Sequence, residues 1–285
     1  MVDVRPMRSG DVADAYAIAM RAFEMEPPAA RSERQRRDRR WHARLDHLLE
    51  TDPGGAWFAE SDAGPAGAAM ALVRDGHLWG LSLLVVDPAA QSRGTGALLL
   101  ERTLAYGDGA PAGIVVASTD PRALRVYARA GFSLLPTLSA AGTVDRSALP
   151  DRDTAVREAG PEWLEHAGEL SRLVRGATHA PDMAVSLTVG ERLLHLGERG
   201  FVMHDRGSVR LLVARDEAAA TALLWSALAE SDASVPAEVN WMTAGQDWAM
   251  AVAVRAGLEL RVTGPLCVRG PLGPLRPYLP SGAYL

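Results

Sequence analysis

The chain contains no lysine: its thirty basic residues are all arginine. A Walker phosphate loop, which needs a Gly-Lys pair, is therefore excluded. Cysteine is reduced to Cys267, which excludes an internal disulfide or a cysteine-cluster metal site and reads as buried packing. His179, His195 and His204 lack metal-ligand spacing, so no metal is expected. There is no basic excess either. The formal net charge of −5 supplies no field for nucleic acid. No apolar run approaches membrane-spanning length, and Val2-Asp3-Val4-Arg5 form no apolar signal region. The expectation is a soluble, cytoplasmic protein without nucleic-acid or membrane partners. Its 285 residues suit two domains, and 48% apolar residues suit a real core.

What is present centres on Val85-Val86-Asp87-Pro88-Ala89-Ala90-Gln91-Ser92-Arg93-Gly94-Thr95-Gly96-Ala97. The apolar run from Leu81 to Val86 reads as a buried strand that stops at Pro88. A two-glycine turn follows, and Leu98, Leu99, Arg102 and Leu104 start a helix. Strand, glycine turn and helix gather free N–H groups and a positive dipole end at one point, a ready anion site. The dinucleotide fingerprint is absent, because its third glycine would fall on Leu99. An ordinary strand-to-helix turn is the rival reading.

These residues resemble the acyl-CoA loop of the GNAT N-acetyltransferases: Gln91, Gly94 and Gly96 fit that family's spacing, behind a Val-x-Pro. A second signature follows in order. Asp120-Pro121-Arg122-Ala123-Leu124-Arg125-Val126-Tyr127-Ala128-Arg129-Ala130-Gly131-Phe132 resembles the family's second CoA-contacting helix, with its Tyr-x-x-x-Gly-Phe ending. Asp120 suits the cap, Pro121 the first turn and Gly131 the left-handed C-terminal position. The fold class implied is mixed α/β, an open mixed sheet flanked by helices.

In chain order, residues 2–6 read as a strand, and Ser9 and Asp11 open a helix ended by Pro27-Pro28. Arg31–Glu50 reads as a polar helix with Trp41, Leu45, Leu48 and Leu49 on one stripe. Its arginine run, Arg34 to Arg40, reads chiefly as a solvated face, although in the resembled family this region lies over the acceptor site. Trp57–Ser61 and Ala66–Arg74 form a hairpin turned at Asp62 to Pro65, and His77–Val86 is the central strand. Gly113–Ser118 and Thr137–Val144 are further strands, and Asp145–Asp153 is a linker.

A shift of 126 residues then superposes Ala123 on Ala249, Val126 on Val252 and Arg129-Ala130-Gly131 on Arg255-Ala256-Gly257; Thr95 meets Thr221 and Leu98 meets Leu224. The chain is thus expected to hold two tandem GNAT-like domains, 1–145 and 146–285. In the second copy Gly94 and Gly96 become Ala220 and Ala222, Arg93 becomes Ala219 and Tyr127 becomes Ala253. Alanines extend a helix backwards and spoil a phosphate cradle, so the second copy is expected to lack cofactor.

The resemblance implies direct transfer of acetyl from acetyl-CoA to the amine of a small molecule or peptide. It assigns cofactor contacts to Leu84, Val85, Val86, Gln91, Ser92, Arg93, Gly94, Thr95, Gly96, Ala97, Ser118 and Asp120. Tyr127 is the expected general acid; packing on the strand is its bland alternative. Asp120 stands where relatives often carry asparagine and cannot donate a hydrogen bond. No base stands out among His77, Ser82, Glu24, Glu26 and the carboxylate of Leu285, which keeps a non-catalytic acyl-CoA sensor as the alternative function. A homodimer stays open.

Overall fold

The structure, a computed structural model, describes residues 2–28, 30–151 and 153–285. Contacts divide the chain into one unit up to Pro111 together with Tyr284, and another of Ala112–Ala283 with Leu285.

In the first unit, strands β1 (Val2–Pro6), β2 (Ala56–Ser61), β3 (Gly64–Arg74) and β4 (Leu78–Val86) pair antiparallel in that order. Helices α1 (Val12–Ala22), α2 (Arg31–Thr51) and α3 (Thr95–Tyr106) complete it. Residues 66–72 of β3 are buried without interruption, the mark of a strand covered on both faces. On α2, Leu45 and Leu48 carry the buried stripe. Two boundaries differ from expectation, and one strand carries a bulge. α1 stops at Ala22, before Pro27-Pro28, with Glu24 in left-handed backbone behind it. The hairpin turns at residues 62–63, and Pro65 already pairs with Glu60 on β2. On β4 an extra residue, Ser82, sits between the pairs Met70–Leu83 and Ala71–Leu81; such a bulge bends a strand and re-aims its side chains.

A buried acid ties this unit together. Asp52, just past α2, accepts from Val73 N–H at 2.9 Å, Arg74 Nη1 at 2.8 Å and Tyr106 Oη at 2.9 Å. Helix end, strand end and helix α3 are thereby fixed to one carboxylate.

The second unit holds β5 (Ala112–Val116), α4 (Pro121–Arg129), β6 (Ser133–Gly142), β7 (Arg157–Ala159), α5 (Leu164–Arg175) and α6 (Ala180–Thr188). β8 (Arg192–His195), β9 (Gly200–Asp205), β10 (Ser208–Ala214), α7 (Glu217–Ala229), β11 (Ala237–Thr243), α8 (Asp247–Arg255), β12 (Glu259–Arg269) and β13 (Tyr278–Leu279) follow. One set of strands runs β5-β12-β6-β11 and the other β13-β10-β9-β8-β7. The core of this unit gathers α7, α8 and the strands around Leu212, Leu223, Leu228, Val239 and Trp248. β6 begins at Ser133 rather than Thr137, and β12 continues through Gly264 to Arg269. Arg152, in the expected linker, lies outside the described residues.

The repeat is visible in the elements from β5 to β6, which correspond to β11, α8 and β12. α8 begins and ends 126 residues after α4, and β12 begins 126 after β6. These two strands pair with each other, and Thr137 meets Thr263, its equivalent under the shift, with hydroxyl oxygens 2.9 Å apart. β12 lies between β5 and β6, while β6 lies between β12 and β11. β6 of the first copy and β12 of the second thus each pair with strands of the other copy, a reciprocal exchange about the threonine pair. No helix among the described residues is long and apolar enough to cross a membrane.

Replacing Asp52 by alanine should remove the carboxylate that the buried Arg74 pairs with and cost about 3–5 kcal/mol. Urea unfolding measures this; a loss below 1 kcal/mol would show that Arg74 reaches water on its own.

Candidate functional site

The site starts where β4 ends. Pro88 cannot donate to a strand ladder, and the Asp87 carboxylate turns the chain by accepting from Ala89 N–H at 3.0 Å. Arg21 on α1 holds the same carboxylate at 2.7 Å. The Gln91 amide donates to the Val86 carbonyl at 3.1 Å, closing the loop on the strand. Ser92 and Gly94 take positive φ, +64° and +87°, and α3 starts at Thr95. Gly94 occupies the cap position in the left-handed region, and no side chain caps the helix. The N-cap residue, a glycine, therefore offers no side chain to the first N–H groups of α3.

The space there fits an anion. A Cβ built on Gly94 would meet nothing within 4 Å, and one on Gly96 would meet only Val86 Cγ2, at 3.5 Å. Gly94 is demanded by its backbone angle, since L-residues are strained in that region. Gly96 is demanded by neither angle nor packing, which points to something outside the protein as its reason. The Thr95 hydroxyl at the same terminus is buried without a partner among the described residues. Leu84 and Val86 pack toward Leu99 of α3, whereas Val85 is buried at 2% exposure. Arg93 and Ala97 are exposed beside the loop. The first unit thus brings Leu84–Val86 and Gln91–Ala97 into one strand-loop-helix piece that ends at a helix N-terminus, where N–H groups and the helix dipole favour an anion.

The corresponding piece of the second copy is closed. Only Arg215 and Asp216 separate β10 from α7, against eight residues between β4 and α3. α7 begins at Glu217, four residues earlier than the shift from Thr95 would place it. The Asp216 carboxylate accepts from Ala219 N–H at 2.9 Å, so the helix start already carries its own anion.

The second unit holds the other expected residues. Asp120 caps α4 by accepting from Arg122 N–H at 2.8 Å, and the Arg122 guanidinium grips the same carboxylate at 2.7 Å. That grip holds the Asp120 carboxyl below its usual range. The exposed Ser118 accepts from Asp120 N–H at 3.3 Å. Asp120 is thus a cap and an ion-pair partner. Tyr127, on α4, is 5% exposed and packs edge-on against Phe132, with centroids 6.5 Å apart. Burial, with Cys267 and Asp120 nearby, pushes its phenol well above the ordinary value, so it keeps its proton at neutral pH. Cys267 is fully buried and pushed up to about 12.

Of the base candidates, Ser82 is occupied: Arg44 on α2 donates to its hydroxyl at 2.9 Å and also to its carbonyl. The Leu285 oxygen accepts from the buried Arg175 guanidinium. Glu24 and Glu26 are exposed, and His77 sits in the turn before β4. Sequence reasoning missed Arg44, one arginine among many on α2, and no spacing signal would have singled it out. Among the described residues no group of three or more His, Cys, Asp or Glu is arranged to hold a metal ion.

Substitutions at the two glycines should separate their roles. Gly96→Ala, on the first turn of α3, should leave stability unchanged or raise it by up to about 1 kcal/mol. Gly94→Ala should lower it by about 1–2 kcal/mol. Chemical denaturation checks both; equal losses would mean that Gly96 is a packing residue.

Residues 13–132 match the acetyltransferase (GNAT) family. Among curated proteins none matches the chain. A Pyrococcus horikoshii protein provisionally named as an acetyltransferase has a solved structure with TM-score 0.80 and 18% identity, over 100% of this chain and 96% of that one. A GCN5-related N-acetyltransferase from Kribbella flavida gives 0.60 and 20%, over 95% of this chain and 72% of that one. A tandem GNAT protein from the clavulanic acid biosynthesis pathway gives 0.58 and 15%, over 95% and 98%. At these identities the likeness is one of fold, a GNAT-type α/β fold in tandem.

Proposed function

We propose, from the match of residues 13–132 to the acetyltransferase (GNAT) family, that the protein transfers the acetyl group of acetyl-CoA to an amine by direct attack, using its N-terminal copy alone. The observation that carries this reading is the uncapped start of α3 behind Gly94, set beside the self-capped start of α7.

In this reading the N–H groups of Ser92 to Ala97 take the pyrophosphate, with Arg93 adding charge. The backbone of Leu84 to Val86 pairs with pantetheine in strand fashion and fixes the thioester carbonyl. Holding the carbonyl beside the amine removes much of the entropic barrier. The amine nitrogen bonds to the carbonyl carbon while a backbone N–H near Val85 or Val86 steadies the developing oxyanion. The C–S bond then breaks. Tyr127 gives its phenolic proton to the departing sulfur, and the amine surrenders one proton to solvent or a base. Ser118 and Asp120 flank this helix start and set its position.

The engagement of Ser82 by Arg44 and of Leu285 by Arg175 leaves two base candidates tied up. That observation favours, as the second reading, an acyl-CoA sensor that binds without turnover.

Kinetics and calorimetry separate them. Gly96→Val should weaken acetyl-CoA binding at least tenfold without unfolding the chain. Tyr127→Phe should lower kcat about 10²-fold with acetyl-CoA affinity unchanged. Since the Tyr127 phenol is raised, its deprotonation should not limit kcat below the ordinary tyrosine range near 10. Full activity in Tyr127→Phe would make that residue a packing group. Acetyl-CoA binding with no turnover across an amine panel would establish the sensor.

A further inference from the structure

Arg44 is a cation without a counter-charge. Its Nε donates to the Ser82 hydroxyl and one Nη to the Ser82 carbonyl, and its guanidinium stacks 5.1 Å over the Trp41 ring. Among the described residues no carboxylate lies within ion-pairing distance of it. The titratable group that bears on its charge is the Tyr284 phenol, whose ring sits edge-on to His47, one turn further along α2. The side chain is half-buried, and burial pushes its pKa down to about 10, still charged at neutral pH. Two other arginines of this unit do have acids: Arg74 has Asp52, and Arg5 has Asp11 and Glu60. A half-buried guanidinium whose donors are met only in part, by the neutral groups of Ser82, is costly unless an anion meets it.

Its position narrows what that anion is. Arg44 is held over the β4 bulge, and Ser82 precedes Leu84 by two residues on the strand proposed to carry the thioester. Two strand residues advance about 7 Å. That length accommodates one charge-assisted hydrogen bond plus the reach from a carboxylate to the α- or β-amine of the same molecule. Two donor positions are used by Ser82; the N–H groups left over, on the two Nη atoms, can take the oxygen pair of a planar carboxylate, whereas one cation would not neutralise a multiply charged phosphate. Trp41, with Tyr16 5.7 Å from it, forms the aromatic side of this place.

We propose that Arg44 receives the carboxylate of the acceptor, so that the amine acetylated is that of an amino acid or a close carboxylate-bearing amine. The inference rests on the acetyltransferase reading above and names its substrate class.

The test uses the full chain and does not depend on turnover. Calorimetry first measures acetyl-CoA binding. It then measures, in the presence of CoA, N-acetyl-amino acids with small, aliphatic, acidic and aromatic side chains, each beside its methyl ester. Phosphoethanolamine serves as the phosphate probe. The expected result is at least one acid bound tenfold or more tightly than its ester, a gap abolished by Arg44→Gln and reduced by Arg44→Lys. Should Arg44→Gln fail to fold, the gap in the wild type and its reduction in Arg44→Lys decide. Equal binding of acids and esters, no binding of any acid, a gap that survives Arg44→Gln, or tighter binding of phosphoethanolamine than of every acid would overturn the proposal. If acetyl-CoA binds normally in those cases, only the acceptor class fails. If acetyl-CoA does not bind, the acetyltransferase reading fails with it.

Discussion

An α-helix leaves its first N–H groups without internal partners, and this chain treats that requirement in opposite ways at two related positions. Before α7, Asp216 reaches back to Ala219 N–H and fills the terminus with the protein's own carboxylate. Before α3, an eight-residue loop passes through left-handed Ser92 and Gly94 and leaves the terminus without a side-chain cap. Both helices pack on a β-strand core, so packing does not force the difference. The shape of α3's start, the freedom around Gly94 and Gly96, and the lone Thr95 hydroxyl are all consistent with an external anion completing the first terminus.

The exchange of strands at the Thr137–Thr263 pair has a different consequence. β12 hydrogen-bonds to both β5 and β6, so strands 112–116 and 133–142 of the first copy are completed by a strand from the second. β12 lies between β5 and β6, so the two strands of the first copy are joined only through a strand of the second. Gly264, whose Cβ would fall 2.0 Å from the Ala117 carbonyl oxygen, shows how closely that strand is inserted.

Much of this was legible in the residues. The loop from Gln91 to Gly96, the cap at Asp120-Pro121 and the 126-residue shift are local signals, and the observed α4 and α8 match the shift at both ends. The backward extension of α7 follows from replacing glycine by alanine at residues 220 and 222. What escaped was non-local. Ser133 to Pro136 carries no clear alternation, and its strand character comes from pairing with β12, more than a hundred residues away. Arg44 escaped because a charged residue on a polar helix reads as solvated; only the fold brings it over Ser82. The Asp52 network escaped for the same reason, its partners coming from Val73, Arg74 and Tyr106.

The central claim is that one helix terminus is built for a cofactor and its counterpart is not. Isothermal titration with acetyl-CoA, read as stoichiometry per chain, tests it most directly. The account predicts one site. Two sites would show that α7, despite Asp216, accepts a cofactor as α3 does, and no binding would contradict the reading of the α3 terminus itself.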